Sequence, residues 1–202
     1  MEQKTITAQI LNNWSKVKQI NQNSFLIKGG GAVAIGTQIK PISVKKEPGF
    51  ISTLFGLDVV SNRSRDYNGN YIYDFGIKKL SDSSPLKIYS RTSPNGLDNK
   101  NLGINIEVTN STIALFDGNE LINEVNLSKF QIEETKRIIL INNNNYIKVS
   151  LDCDEMFNYK TNRPISEYLI FESVGSGDWE INAVTMEKNI PNGIFKNRVI
   201  IK

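Results

Sequence analysis

INIEV (104–108), IALF (113–116), IILI (138–141), YIKVSL (146–151), YLIF (168–171) and EINAV (180–184) follow one another along residues 102–186, each a short apolar run closed by polar turn residues. Ile104, Ile106 and Val108 alternate with polar residues, as do Ile113 and Leu115, so each run lays its apolar side chains on one face of a strand. A ladder of such strands with turns between them predicts an all-β chain, folded as a two-sheet antiparallel sandwich of the jelly-roll type.

The chain has 202 residues, a length that all-β sandwiches reach as one domain, and enough to bury a core without covalent staples. Its 24 Lys and Arg against 21 Asp and Glu leave a formal net charge of +3, with no block of like charge of the kind that binds nucleic acid. Asn, Ile and Lys are frequent, a bias of A/T-rich codons before it is a functional signal. No His is present, which removes the commonest general base and the commonest metal ligand. Cys153 is the one cysteine, so neither an intrachain disulfide nor a thiolate zinc site is available. Asp152 and Asp154 flank it and oppose thiolate formation, which predicts a buried or half-buried small residue in place of a nucleophile.

In residues 1–24 the apolar positions Ile6, Ile10, Leu11, Trp14, Val17 and Ile20 fit either a short amphipathic helix or an extended arm anchored by Trp14, with residues 25–202 forming a single sandwich domain. Gly29, Gly30 and Gly31 stand between the runs 24–28 and 32–35, and read as a tight hairpin; no helix opening follows to make them a phosphate loop. Further strands are predicted at 39–44, 49–60, 71–77 and 86–91, with loops at 61–70 and 93–101. Phe50, Leu54 and Phe55 of the second run offer core side chains, and Trp179, in an alternating run, reads as core. Asp117-Gly118 closes one hairpin and the tetrad Asn142–Asn145 another, since Asn suits turns. Residues 1–20 lack the continuous apolar core of a secretion signal, and no run approaches the length of a membrane span.

The segment 136–186 resembles the last strands of concanavalin A-like sandwiches, the group of laminin G modules, legume-type lectins and many glycanases. RIILI (137–141) and NYIKVSL (145–151) look like its paired strands, MFNY (156–159) like the next, 164–171 like the one after, and 175–186, with Gly177, Trp179, Ile181 and Val184, like the closing strand. The resemblance implies two curved antiparallel sheets packed face to face, a setting in which glycan binding and adhesion are both common. The glucanases of this group carry acids at i, i+2 and i+4 of one strand, all on one face. Here Glu107 is followed by Thr109 and Ser111, and Asp152 and Asp154 by Met156, so a glycoside hydrolase is the disfavoured alternative.

Two candidate sites stand out. Asp66, Asn68, Asn70 and Asp74 offer the hard oxygens that Ca²⁺ takes, although Asn68-Gly69 also reads as a two-residue hairpin turn with Tyr67 and Tyr71 across it. Tyr67, Tyr71, Tyr73 and Tyr89 gather aromatic surface on which a sugar could stack, or which could pack within a sheet. Lys45-Lys46 and Lys78-Lys79 read as solvated pairs. No other cofactor is expected, nor a nucleic-acid partner, nor insertion into a membrane. The expected role is a non-catalytic one in structure, assembly or adhesion. It would suit a phage or viral particle component made in a host cytoplasm, built with other protein subunits as a homo-oligomer or larger assembly and touching surface glycans. The alternative is a lectin-like, carbohydrate-binding module of a bacterial protein.

Overall fold

The computed structural model describes residues 7–12, 14–36, 71–81, 84–92, 103–166 and 168–188. The strands expected at 39–44 and 49–60, and the loops 61–70 and 93–101, lie outside the described residues.

Fourteen strands among the described residues form two seven-stranded sheets. The first sheet runs, in spatial order, β1 (Thr7–Asn12), β4 (Ala32–Gly36), β13 (Tyr168–Ser173), β6 (Leu86–Ser90), β7 (Ile104–Val108), β8 (Thr112–Asp117) and β9 (Glu120–Asn126). The second runs β12 (Asp154–Lys160), β11 (Tyr146–Leu151), β10 (Thr135–Asn143), β5 (Tyr71–Lys79), β14 (Trp179–Lys188), β3 (Ser24–Ile27) and β2 (Val17–Asn21). Neighbouring strands pair antiparallel throughout. The result is the all-β sandwich that the alternating runs predict.

Alternation does the packing. Tyr71, Tyr73, Phe75 and Ile77 of β5 point the same way, as do Ile104, Ile106 and Val108 of β7, and all are buried in one core between the sheets. Phe75 from the second sheet meets Phe171 from the first edge to face, with ring centroids 5.0 Å apart at 86°. Lys79, at the end of β5, is also fully buried, and its ammonium donates to Asn110 Oδ1.

Within residues 1–24, read as a short helix or an extended arm, the described residues take the extended form: β1 and β2 are edge strands, one in each sheet, with a 3-10 turn at Trp14–Lys16. Two local expectations are corrected. The glycine triplet is no hairpin: β3 and β4 belong to different sheets, and the glycines carry the chain across. The passage is tight, because a Cβ on Gly29 would come within 2.5 Å of the Gly175 carbonyl oxygen, and Gly30 takes φ +78°. Its backbone is bound into the β13–β14 connection, with the Gly30 amide donating to the Ser173 carbonyl (2.8 Å) and the Gly29 amide to Asp178 Oδ1 (3.2 Å).

Cys153 is exposed rather than buried. It occupies the two-residue turn between β11 and β12, where Asp152 has φ 50° and Cys153 φ 78°. A left-handed pair of this kind matches the twist of a hairpin but suits Asn-Gly or Asp-Gly. Cys153→Gly is therefore expected to stabilise the fold by about 1 kcal/mol, read as a higher urea midpoint at unchanged slope.

Candidate functional site

The expected sugar platform is dispersed. Tyr71 and Tyr73 lie in the core at 0% and 1% exposure, stacked on each other with ring centroids 6.3 Å apart, and the Tyr73 hydroxyl donates to the Ser166 carbonyl (3.2 Å). Their inward position follows from the phase they share with Phe75 and Ile77, so neither ring offers a face to a ligand. Tyr67 lies outside the described residues, as do the calcium candidates Asp66, Asn68 and Asn70. Asp74, the fourth calcium candidate, sits on the opposite face of β5 and accepts two hydrogen bonds from the Arg137 guanidinium on β10, through Nε (2.8 Å) and Nη2. Among the described residues no three His, Cys, Asp or Glu side chains cluster as a metal site. Asp152 is also engaged, by the Arg137 amide (2.8 Å) and the Lys136 ammonium (3.2 Å), as a turn carboxylate rather than half of an acid pair.

One end of the sandwich is tied by Arg91, just past β6. The residue is 1% exposed with φ 53°, and its guanidinium donates to Asn142 Oδ1 (3.0 Å) and to the carbonyls of Arg163 (2.6 Å), Asn143 and Tyr146 (3.0 Å). Asn142 in turn donates from Nδ2 to Ser90 Oγ (2.7 Å), linking β10 to β6 across the two sheets. Part of the asparagine tetrad thus works inside the protein, with Asn142 fully buried. Burial draws the Arg91 pKa down to about 10.

Beside this clasp is a shallow, open hollow of about 610 Å³ lined by Asp117, Tyr159, Thr161 and Arg163, among others. Its polar groups serve one another. Asp117, at the end of β8, accepts from the Tyr159 hydroxyl of β12 (3.0 Å) and from Arg163 Nε, tying β8 of the first sheet to the edge strand β12 of the second and the segment that follows it.

The two outer faces differ in kind. That of the second sheet is laced with ion pairs, Arg137–Asp74, Lys148–Glu155 and Lys78–Glu133 among them, the pattern of a solvated surface. The outer face of the first sheet carries a continuous row that crosses five strands in register: Ile170 (β13), Tyr89 (β6), Asn105 (β7), Phe116 (β8) and Leu121 (β9). Although they point away from the core, Ile170 and Tyr89 are 1% and 2% exposed, and cluster with Ala34 and Tyr168. Phe116 is half-buried and Leu121 is 51% exposed, so the row opens toward the β9 edge.

A second, charged row runs beside it: Glu172, Lys87, Glu107, then Ala114 and Glu124. The Tyr89 hydroxyl donates to Glu172 Oε2 (2.6 Å), and Lys87 pairs with Glu107 (3.2 Å). Burial first, and then the bond to Glu172, pushes the Tyr89 hydroxyl well above the ordinary phenol range, so it stays a donor at any working pH. The sequence signal for this face was present, since Asn105 and Glu107 alternate with core isoleucines in INIEV.

No protein-family model matches the sequence, and no curated protein sequence matches it. Solved structures do share the fold. The carbohydrate-binding module CBM66 from Bacillus subtilis superposes with a TM-score of 0.54 at 9% identity, over 92% of this chain and 96% of that one. The carbohydrate recognition domain of Emp46p, in its metal-free form, gives 0.54 at 11% identity over 93% and 89%. The receptor-binding domain of botulinum neurotoxin mosaic serotype C/D gives 0.53 at 12% identity; it covers 96% of this chain, which spans 45% of that domain. A sialidase and an alginate lyase share the fold as well.

Proposed function

We propose that this chain is a non-catalytic, carbohydrate-binding β-sandwich whose ligand lies on the open β8–β9 end of the outer face of the first sheet. Phe116, half-buried, and Leu121, 51% exposed, carry the reading, since they are where the outer row reaches the surface. A sugar ring has C–H faces that pack on apolar and aromatic side chains, and hydroxyls that need partners held in place. This end supplies both, with Phe116 and Leu121 as the apolar side and the carboxylates of Glu107 and Glu124 in the row beside them. Among the described residues the outer face of the second sheet, with its ion pairs, offers no comparable apolar row. Support from known folds is of the same kind: CBM66 and the Emp46p domain are carbohydrate-binding by name, and this chain spans nearly the whole of each.

Catalysis fits this face less well. β7 presents Asn105 and Glu107 outward, not two acids, and Glu107 is tied to Lys87. The reading is tested on a glycan array run with and without EDTA. Binding to a defined set of glycans that survives chelation is expected. Binding abolished by EDTA would move the site to a metal, with Asp66, Asn68 and Asn70 the first residues to replace. No binding to any glycan would remove the reading.

A second reading, association of copies into a larger assembly, has one observation behind it. β9 is an edge strand with one large apolar side chain, Leu121, half exposed. Light scattering over a range of concentrations decides it: a defined trimer or larger ring supports assembly, and a concentration-independent monomer excludes it.

A further inference from the structure

β9 ends the first sheet and β2 ends the second, each paired on one side only among the described residues. The Asp117–Tyr159 bond sets the β8–β9 end over β12, while the 3-10 turn at Trp14–Lys16 joins β2 to β1 at the far end of the sheets. The open edges of β9 and β2 therefore lie on opposite flanks. An open edge offers backbone donors and acceptors to a further strand. On β9 the Glu124 amide turns away from β8 and donates to the Oδ1 of its own neighbour, Asn123 (2.9 Å). The apolar side chains point to the same places. The large apolar residues exposed among those described are Ile20 on β2 (50%), Leu121 on β9 and Ile132 in the connection after β9.

Charge decides which edges can meet. β9 carries Glu120 and Glu124 with no cation, and β2 carries Lys18 with no acid. All three are exposed, and none holds an ion pair among the described residues. Two β9 edges laid together would put four carboxylates along one seam, and two β2 edges would put two ammonium groups there with no acid. Like charges across a strand pair are unfavourable, so each edge resists a copy of itself. β9 against β2 opposes the signs. An antiparallel alignment with Lys18 opposite Glu124 also sets Ile20 opposite Ile122 and beside Leu121.

We propose that copies of this chain join head to tail, the β9 edge of one pairing antiparallel with the β2 edge of the next, with Glu124 against Lys18. The inference rests on the second reading above, association of copies, and gives it a contact. Such a contact is heterologous: every pairing leaves one β9 and one β2 open, so growth continues until a ring closes. Leu121 keeps its place on the outer face of its sheet, with Ile20 of the next copy beside it. The contact thus extends the apolar end assigned to the sugar and does not compete with it.

The test is a charge exchange read by sedimentation velocity at low salt, from micromolar to near-millimolar protein. It compares wild type with Lys18→Glu, Glu124→Lys and the double variant carrying both. Wild type is expected to gain mass with concentration and to pass beyond the dimer. Each single variant sets like charges across the contact and is expected to associate about tenfold more weakly. The double variant restores an opposite pair in reverse, and its association is expected to return to within about threefold of wild type. Association untouched by both single variants overturns this contact and leaves the association of copies standing. A loss in only one of them means that like edges meet, and overturns it too. So does a double variant that stays as weak as the singles. Wild type that is monomeric at every concentration overturns the association of copies and this inference with it, and leaves the carbohydrate reading to its own test.

Discussion

Arg91→Met is expected to destabilise the fold by about 3 kcal/mol, seen as a fall of roughly 6–12 °C in melting temperature. The guanidinium serves four acceptors, Asn142 Oδ1 and the carbonyls of Asn143 and Tyr146 in the β10–β11 hairpin, and the carbonyl of Arg163 beyond β12, which belong to two separate parts of the chain. Each acceptor left dry costs about 1–3 kcal/mol, while giving up a desolvated charge offsets part of the sum. Arg91→Lys should lose most of the same stability, because one ammonium cannot reproduce the planar fork that reaches all four. Since Arg91 also has φ 53°, Arg91→Gly isolates the side chain from the backbone: it relieves the left-handed conformation and should still be less stable than wild type. A change under about 1 kcal/mol in Arg91→Met would mean that water takes over the four acceptors, and that the clasp is not what holds this end closed.

Trp179→Ala is expected to cost more, about 4 kcal/mol. Trp179 is fully buried at the start of β14, its ring meets Phe130 edge to face at 5.7 Å, and its Nε1 donates to the Ser84 carbonyl (3.1 Å). Phe130 lies in the segment that carries the chain from β9 in the first sheet to β10 in the second, so the pair packs that crossing into the core. Trp179→Phe divides the effect: it keeps an aromatic body and forfeits the hydrogen bond, with an expected cost of about 2 kcal/mol. Urea unfolding of both variants checks the order. If Trp179→Phe proves as damaging as Trp179→Ala, the hydrogen bond rather than the packing dominates.

The strands were legible because period-two alternation is a local signal. INIEV, YIKVSL and the Tyr71–Ile77 run all form strands close to where their patterns place them. Which strands share a sheet is not local, and there the reading of Gly29–Gly31 failed. A glycine triplet between apolar runs looks the same whether the chain folds back or crosses over, and only the close approach of Gly29 to the Gly175 carbonyl distinguishes the two. In residues 1–24 the choice between helix and extended chain stayed open for a related reason: an edge strand pairs on one side only and needs little alternation to be held.

The aromatic platform misled differently. The phase that Tyr71 and Tyr73 share with Phe75 and Ile77 already marked them as core, but clustering of tyrosines was weighed above alternation. Asn105 carried the opposite signal, an amide alternating with core isoleucines, yet nothing in a sequence tells a solvated asparagine from a buried one. Arg91 had no local signal, since its four acceptors lie 51 to 72 residues away in the chain.

The central claim is that the outer face of the first sheet is where a sugar binds, and amide chemical-shift mapping during titration with a neutral oligosaccharide tests it most directly. The account predicts shifts that follow the titration at Phe116, Leu121 and their neighbours on β8 and β9, with the outer face of the second sheet silent. Shifts confined to the Asp117–Tyr159–Arg163 hollow, or to the ion-paired face around Asp74 and Arg137, would contradict it.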